Sequence, residues 1–308
     1  MKQSMYRWYF LFFSFSIILI FISLMSFGTL LHSKDLRLNN WETESNLPVI
    51  GINEQYDFVL LGSSHARTLS RSNNHLRVEK ILGKKFLNLS QGGDKTGAVL
   101  DQQTYLNYFY QRGNSAKMLV YFVDPYIFFN KSLDYNADPY LNEPFRLDFL
   151  SRLLIDRPKN PQALEKYIKK IFETRTIAHY PVFEKPLEST IVASISAVDA
   201  KNRFNTLYKS SYNKNYFNNV LTALIQTLNI GNKHNAKIIM IVPPTLLPEN
   251  ENDHYAYESL NYESKRMGFE YYNYSKAIRE KNLYYNIDHL NTEGVIFFTE
   301  TLLKPILR

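Results

Sequence analysis

The 308-residue chain contains no cysteine, so it has no disulfide framework and no thiolate nucleophile or metal ligand. This fits an oxidising or exposed compartment without requiring one. Charge is missing from one long stretch. No Asp, Glu, Lys or Arg lies between Arg7 and Lys34, and Trp8 to Leu31 is almost wholly apolar. A helix of that length spans about 36 Å, enough for a bilayer core of about 30 Å. The run is longer than the apolar region of a secretion signal, and Ser26-Phe27-Gly28-Thr29 is a poor cleavage pattern. Residues 8–31 are therefore expected to be an uncleaved transmembrane anchor. The chain also lacks long basic blocks, RNP-like aromatic motifs, repeats and low-complexity segments. Its formal net charge of +7 is spread along its length, which excludes nucleic acid as the expected partner and leaves mild attraction to anionic lipid or acidic polymer.

Lys2 and Arg7 flank one side of the apolar run and Lys34 and Arg37 the other, so the positive-inside rule does not choose an orientation. Single N-terminal anchors followed by a large domain usually leave that domain outside the cytoplasm, on the periplasmic or cell-surface side. That is the expectation here. Residues 32–55 read as a linker and 56–308 as one domain.

Within that domain, short apolar runs alternate with stretches of helical period. Strands are predicted at Asp57–Leu61, Lys85–Leu89, Met118–Val123, Ala236–Val242 and Phe269–Tyr272. Helices are predicted at about 64–82 (broken near Asn73-Asn74), 98–111, 216–230, 254–267 and 292–303. Near-continuous apolar strands joined by helices indicate a mostly parallel sheet covered on both faces, an α/β fold in three α/β/α layers. Residues 127–212 interrupt the rhythm with helical pieces at 149–154 and 162–172 between proline turns, and read as a helical insertion.

In such a sheet, ligands bind beyond the carboxyl ends of the strands. Gly62-Ser63-Ser64-His65, Gly92-Gly93, Asp124-Pro125 and Pro243-Pro244 all follow predicted strands, and His289 follows the last. A serine on a tight turn with a distant histidine supplies the parts needed to activate a hydroxyl nucleophile. Ser64 is the candidate nucleophile and His289 the candidate base. Ser63 or Ser64 could instead simply cap the following helix. Ser63, His65 and Asp124 are candidate lining groups, with His65 expected as an exposed residue of the first helical turn. Asn291 or Thr292 is expected to cap the last helix. A second Asp-His pair, Asp253-His254, lies in merely polar surroundings and serves as a control. The remaining histidines show no zinc-ligand spacing, so no metal and no cofactor are expected.

This set of blocks resembles the SGNH, or GDSL-like, hydrolase and acyltransferase superfamily, whose flavodoxin-like sandwich it would share. The block order matches over about Asp57 to Leu303. Gly62-Ser63-Ser64 resembles the first block, with Ser64 at the nucleophile position. Asn88-Leu89-Ser90-Gln91-Gly92-Gly93 resembles the second, which implies an oxyanion donor at Gly93 or, failing that, Gly92, beside the Ser64 N–H. His289 takes the histidine place of the Asp-x-x-His block. Two departures stand out. Asp124 occupies the end of the strand where the family usually supplies an Asn, and the residue three before His289 is Asn286 rather than Asp. Either Asp288 or Asn286 would then orient the imidazole. The resemblance implies an acyl-serine enzyme, a transferase first and an esterase second, acting on acyl esters of a cell-surface polysaccharide or other acylated glycan. It also implies partnership with a multi-span membrane acyltransferase. The alternative is a catalytically inactive glycan-binding or assembly subunit.

Overall fold

A computed structural model of the chain describes residues 2–35, 46–90, 99–130, 140, 143, 146–156, 161–172, 196–208 and 212–308. The N-terminal helix α1 (Lys2–Asp35) contains the 8–31 run. Its segment Met5–Ser23 is long and apolar enough to cross a membrane, and none of it is buried by the rest of the protein.

Five strands form one parallel sheet: β1 (Gln55–Leu61), β2 (Phe86–Asn88), β3 (Ser115–Phe122), β4 (Lys237–Val242) and β5 (Glu270–Asn273). The spatial order is β2-β1-β3-β4-β5, and every neighbouring pair runs parallel. The expected α/β class with a parallel sheet is therefore present. Alternate residues feed two apolar clusters. Val59, Leu61, Leu119, Tyr121, Ile238 and Met240 belong to one, and Phe58, Leu60, Met118, Val120, Phe122, Ile239 and Ile241 to the other. Burial on both faces explains why these strands read as unbroken apolar runs rather than alternating ones. Truncating a fully buried side chain such as Leu60 to alanine would cost about 2–5 kcal/mol.

The predicted helix over 64–82 is two elements, α2 (Ser64–Arg67) and α3 (Asn74–Leu82). Ser72 and Asn73 take left-handed backbone conformations, φ 53° and 59°, which no α-helix passes through. The further helices are α4 (Val99–Gln111), α5 (Leu147–Asp156), α6 (Pro161–Phe172), α7 (Ala197–Leu207), α8 (Lys214–Lys233), α9 (Asp253–Met267) and α10 (Thr292–Phe298). After α10 the backbone widens into a π-helical turn over Thr299–Leu303 and closes with α11 (Lys304–Ile306). The predicted last helix thus changes its hydrogen-bond pattern after Phe298. Asn213 caps α8 by accepting from the Tyr216 N–H at 3.0 Å.

Residues 46–50, expected as linker, are part of the core. Leu47 and Ile50 are buried, and the Glu143 carboxylate accepts from the N–H groups of Asn46 and Leu47 at 2.7 and 2.9 Å. The insertion packs on α4 through aromatic rings: Phe149 of α5 meets Tyr105 and Tyr108 of α4, and Tyr167 of α6.

Candidate functional site

The site forms at the sheet's carboxyl edge between β1 and β3. There the strand order reverses direction, which opens a crevice in parallel sheets. The chain leaves β1 through Gly62, whose φ of +139° favours glycine. A Cβ at this position would lie 2.9 Å from the Ala66 Cβ, the Phe122 Cβ and the Phe122 carbonyl oxygen. Gln102 of α4 holds the turn from both sides, accepting from the Gly62 N–H at 2.8 Å and donating to its carbonyl at 2.9 Å. Ser63 stands at the N-cap position, but its side chain makes no capping bond, so its hydroxyl is committed elsewhere. Ser64 begins α2, with 7% of its surface exposed.

His289 reaches the same point from the other end of the chain. Residues 284–290 form a loop closed by an antiparallel bridge between Tyr284 and Leu290. The Tyr285 N–H donates to the His289 carbonyl at 3.1 Å, and the Asn291 N–H to the Leu283 carbonyl at 3.0 Å. Asn291 then caps α10, accepting from the Gly294 N–H at 2.9 Å. Gly294 packs so closely there that a Cβ would lie 2.0 Å from the Leu283 carbonyl oxygen.

The His289 Nε2 lies 2.6 Å from the Ser64 Oγ. Which nitrogen holds the proton follows from the other side of the ring. The Asn286 side-chain oxygen accepts from the N–H groups of Asp288 and His289 at 3.0 and 2.7 Å, which fixes its oxygen, not its NH2, toward the loop. The same oxygen lies 3.1 Å from the His289 Nδ1. An acceptor there calls for a proton on Nδ1, which leaves the Nε2 lone pair to accept from the Ser64 hydroxyl. The Asp288 carboxylate also approaches Nδ1, at 3.0 Å. Both residues that the sequence left open thus stand at the ring: Asn286 in line with the N–H, Asp288 as the adjacent charge.

Asp288 is fully buried and receives the Arg203 Nε–H at 2.8 Å. Burial alone would raise its carboxyl, but the His289 ring beside it, then His65 and Arg203, hold it well below the usual carboxylate range. Burial pushes His289 down, and the positive charges of His65 and Arg203 push the same way against Asp288. The downward direction of His289 favours a neutral imidazole, the state a general base requires, with Asp288 as the carboxylate beside it.

His65, expected as exposed, is 6% exposed. Its ring stacks on that of His289 with centroids 4.7 Å apart and 19° between planes. Its Nδ1 lies 2.7 Å from the Asp124 Oδ1, and its Nε2 lies 2.5 Å from the Asp288 carbonyl oxygen. The Ser63 hydroxyl donates a short hydrogen bond to Asp124 and lies 3.0 Å from the Tyr126 hydroxyl. Asp124, Ser63 and His65 therefore form one buried polar chain beside the Ser64–His289 pair. Gly92 and Gly93 lie outside the described residues.

Ligating atoms of His65, Asp288 and His289 lie within 4.8 Å of one another, the one such group among the described residues. Their geometry does not suit an ion. The two rings are stacked, so their in-plane nitrogen lone pairs run side by side rather than converging, and each side chain already holds a partner. A cleft begins at His65 and Asp124 and continues past Tyr126, Tyr208 and Tyr257 to Asp253 and Arg279.

Arg203, Tyr126 and Asp253 are among the groups not foreseen as site residues. Arg203 sits on α7, which carries no motif. Tyr126 follows Asp124-Pro125 directly and was within reach of that block. Asp253, dismissed with its neighbour His254, is buried at 3% exposure and accepts the Tyr208 hydroxyl on both carboxylate oxygens at 3.0 Å. Comparison with known families and curated proteins finds no family model and no curated relative that matches the chain.

Proposed function

We propose that the chain is a membrane-anchored serine acyltransferase or esterase of SGNH-like type, built on a three-layer α/β/α sandwich. Its substrates are acyl esters, acetyl foremost, of a cell-surface polysaccharide, and its domain lies outside the cytoplasm. The observation that carries this reading is the 2.6 Å approach of the Ser64 Oγ to the His289 Nε2, with Asn286 and Asp288 behind the ring.

In this mechanism the Ser64 oxygen bonds to the acyl carbonyl carbon as its proton passes to the His289 Nε2. The tetrahedral oxyanion rests on the Ser64 N–H and, from the block resemblance, on that of Gly93 or Gly92. Collapse breaks the ester bond, and the leaving alkoxide takes the proton from His289. A second hydroxyl then attacks the acyl-serine, deprotonated by His289, and Ser64 recovers its proton as it departs. Water in that role gives hydrolysis, and a sugar hydroxyl gives transfer. Transfer is the first reading, with a multi-span membrane acyltransferase as the partner. The lining of the cleft beside His65 favours a sugar acceptor, because tyrosine faces and buried polar groups are what pyranose rings and their hydroxyls pack against.

The full chain in detergent is expected to react with a fluorophosphonate probe at Ser64, and Ser64→Ala to abolish the reaction. Absent labelling, or labelling unchanged in Ser64→Ala, would overturn the catalytic reading in favour of a binding or assembly subunit. Equal surface-polysaccharide ester content in wild-type and Ser64→Ala cells would count against transfer.

A further inference from the structure

The buried His65 ring has an oxygen that cannot donate close to each of its nitrogens. A carboxylate oxygen, on Asp124, stands 2.7 Å from Nδ1, and a backbone carbonyl oxygen, on Asp288, stands 2.5 Å from Nε2. A carbonyl has no proton to give. The Asp124 carboxylate is already the acceptor for the Ser63 hydroxyl. A neutral imidazole carries one N–H and one lone pair, so in either tautomer it would set a lone pair against an oxygen lone pair inside the protein. Only the doubly protonated ring donates from Nε2 to the carbonyl and pairs its charge with the carboxylate beside Nδ1.

We infer that His65 is a standing imidazolium, locked between Asp124 and the Asp288 carbonyl, and that it acts as a positioning residue that keeps the stacked His289 in its neutral, proton-accepting form. The first half stands on the 2.7 Å ion-pair contact with Asp124 and the hydrogen bond to the Asp288 carbonyl. The second half rests on the reading of Ser64 and His289 as nucleophile and base.

The two rings share one face, with centroids 4.7 Å apart. A fixed positive charge at that distance disfavours a second one on His289. The groups facing the pair are Asp124 after β3, Asp288 and Tyr285 of the loop before α10, and Arg203 of α7, with Arg71 next to Tyr285. Asp288 pulls toward protonation of His289, whereas His65 and Arg203 oppose it. Burial by itself would strip His65 of its charge, yet Asp124 and Asp288 outweigh it and the net direction is upward. For His289 the net direction is downward. Two histidines in contact thus take opposite protonation states, and the carbonyl contact to Asp288 ties the cation to the loop that presents the base. The Asp124 charge, which would repel an oxyanion if it stood alone, is matched by the imidazolium.

The test has two arms. In the first, the full chain is labelled with ¹⁵N-histidine, held in detergent micelles and titrated by NMR, with the His65 signals assigned by their loss in His65→Gln. His65 should show the two-proton pattern throughout pH 6–8, while His289 shows the neutral Nδ1–H tautomer. A neutral His65 at pH 7 overturns the inference. Asp124→Asn, which keeps the shape and removes the charge, should make His65 lose its proton within that range, and an unmoved titration overturns the locking role.

In the second arm, the fluorophosphonate rate at Ser64 is followed against pH. The acid limb should move up by about one pH unit in His65→Gln, and an unmoved limb in a folded variant overturns the tuning role. Wild-type protein that never labels defeats the catalytic reading instead, and the NMR arm still decides the state of His65.

Discussion

Arg203 donates through Nε to the Asp288 Oδ2 at 2.8 Å, joining a helix of the insertion to the residue beside the candidate base across 85 positions of sequence. The insertion is therefore part of the site's wall. Arg203 orients the carboxylate and adds positive charge that lowers His289. Arg203→Met should destabilise the domain by about 3 kcal/mol, the lower end for breaking a buried pair, because Asp288 keeps His289 and His65 nearby. It should also shift the acid limb of fluorophosphonate labelling upward. Arg203→Lys should restore part of both losses. Thermal unfolding and the labelling–pH profile measure the two effects.

Asn286 fixes the tautomer of His289 through one oxygen with three donors around it. Asn286→Ala should leave two backbone N–H groups without their acceptor and the ring N–H with the Asp288 carboxylate alone, costing about 1–3 kcal/mol. It should also slow labelling at least tenfold, because the ring can then turn its lone pair away from Ser64. Asn286→Asp keeps the acceptor and adds a charge, so labelling should survive with its acid limb moved to higher pH. Equal rates in all three proteins would show that Asp288 alone orients the ring.

The parts of this arrangement that were legible in the sequence are those that leave local marks. Both faces of β1, β3 and β4 are buried, and unbroken apolar runs record that directly. Ser64 was marked by its place just past β1, and His289 by its place in the loop between the last strand and the last helix. The burial of His65 was not legible, because α2 has only four residues, too few to define an inner face by period. Nor was the Arg203–Asp288 contact, since a single pair at long range produces no pattern. Asp253 was misjudged for a related reason. Its polar neighbours Asn250, Glu251 and Asn252 suggested a solvated loop, whereas the Tyr208 hydroxyl from the insertion end covers the carboxylate.

Gly62 carries the geometric demand of the first block. With φ at +139° and three atoms at 2.9 Å from any added Cβ, Gly62→Ala must shift either Ala66 of α2 or the end of β3 at Phe122. The expected cost is about 3 kcal/mol from strain and overpacking together. Because Ser64 lies two residues on, labelling should fall further than the lost stability explains, which a rate measured well below the unfolding transition would show. Gln102→Ala should give a milder form of the same defect, since it releases the turn without adding bulk.

Asp253 and Asp288 should contribute to stability with opposite dependence on pH. The Asp288 carboxyl is held below its ordinary value, so its contribution is present above about pH 4 and is lost as acid protonates the folded site. Burial raises Asp253 from 3.8 to about 6, despite the hydrogen bonds from Asn250 and Tyr208 that favour the charge. Between those values the folded protein binds more protons than the unfolded chain, so Asp253 makes stability fall as pH rises from about 4 to about 6, by about 3 kcal/mol at most. Asp253→Asn keeps an oxygen to accept the Tyr208 hydroxyl and the Asn250 N–H but cannot ionise. Its melting temperature should match wild type at pH 4 and exceed it at pH 7. A variant that tracks wild type across the whole range would mean that the carboxylate is as well accommodated in the cleft as in water.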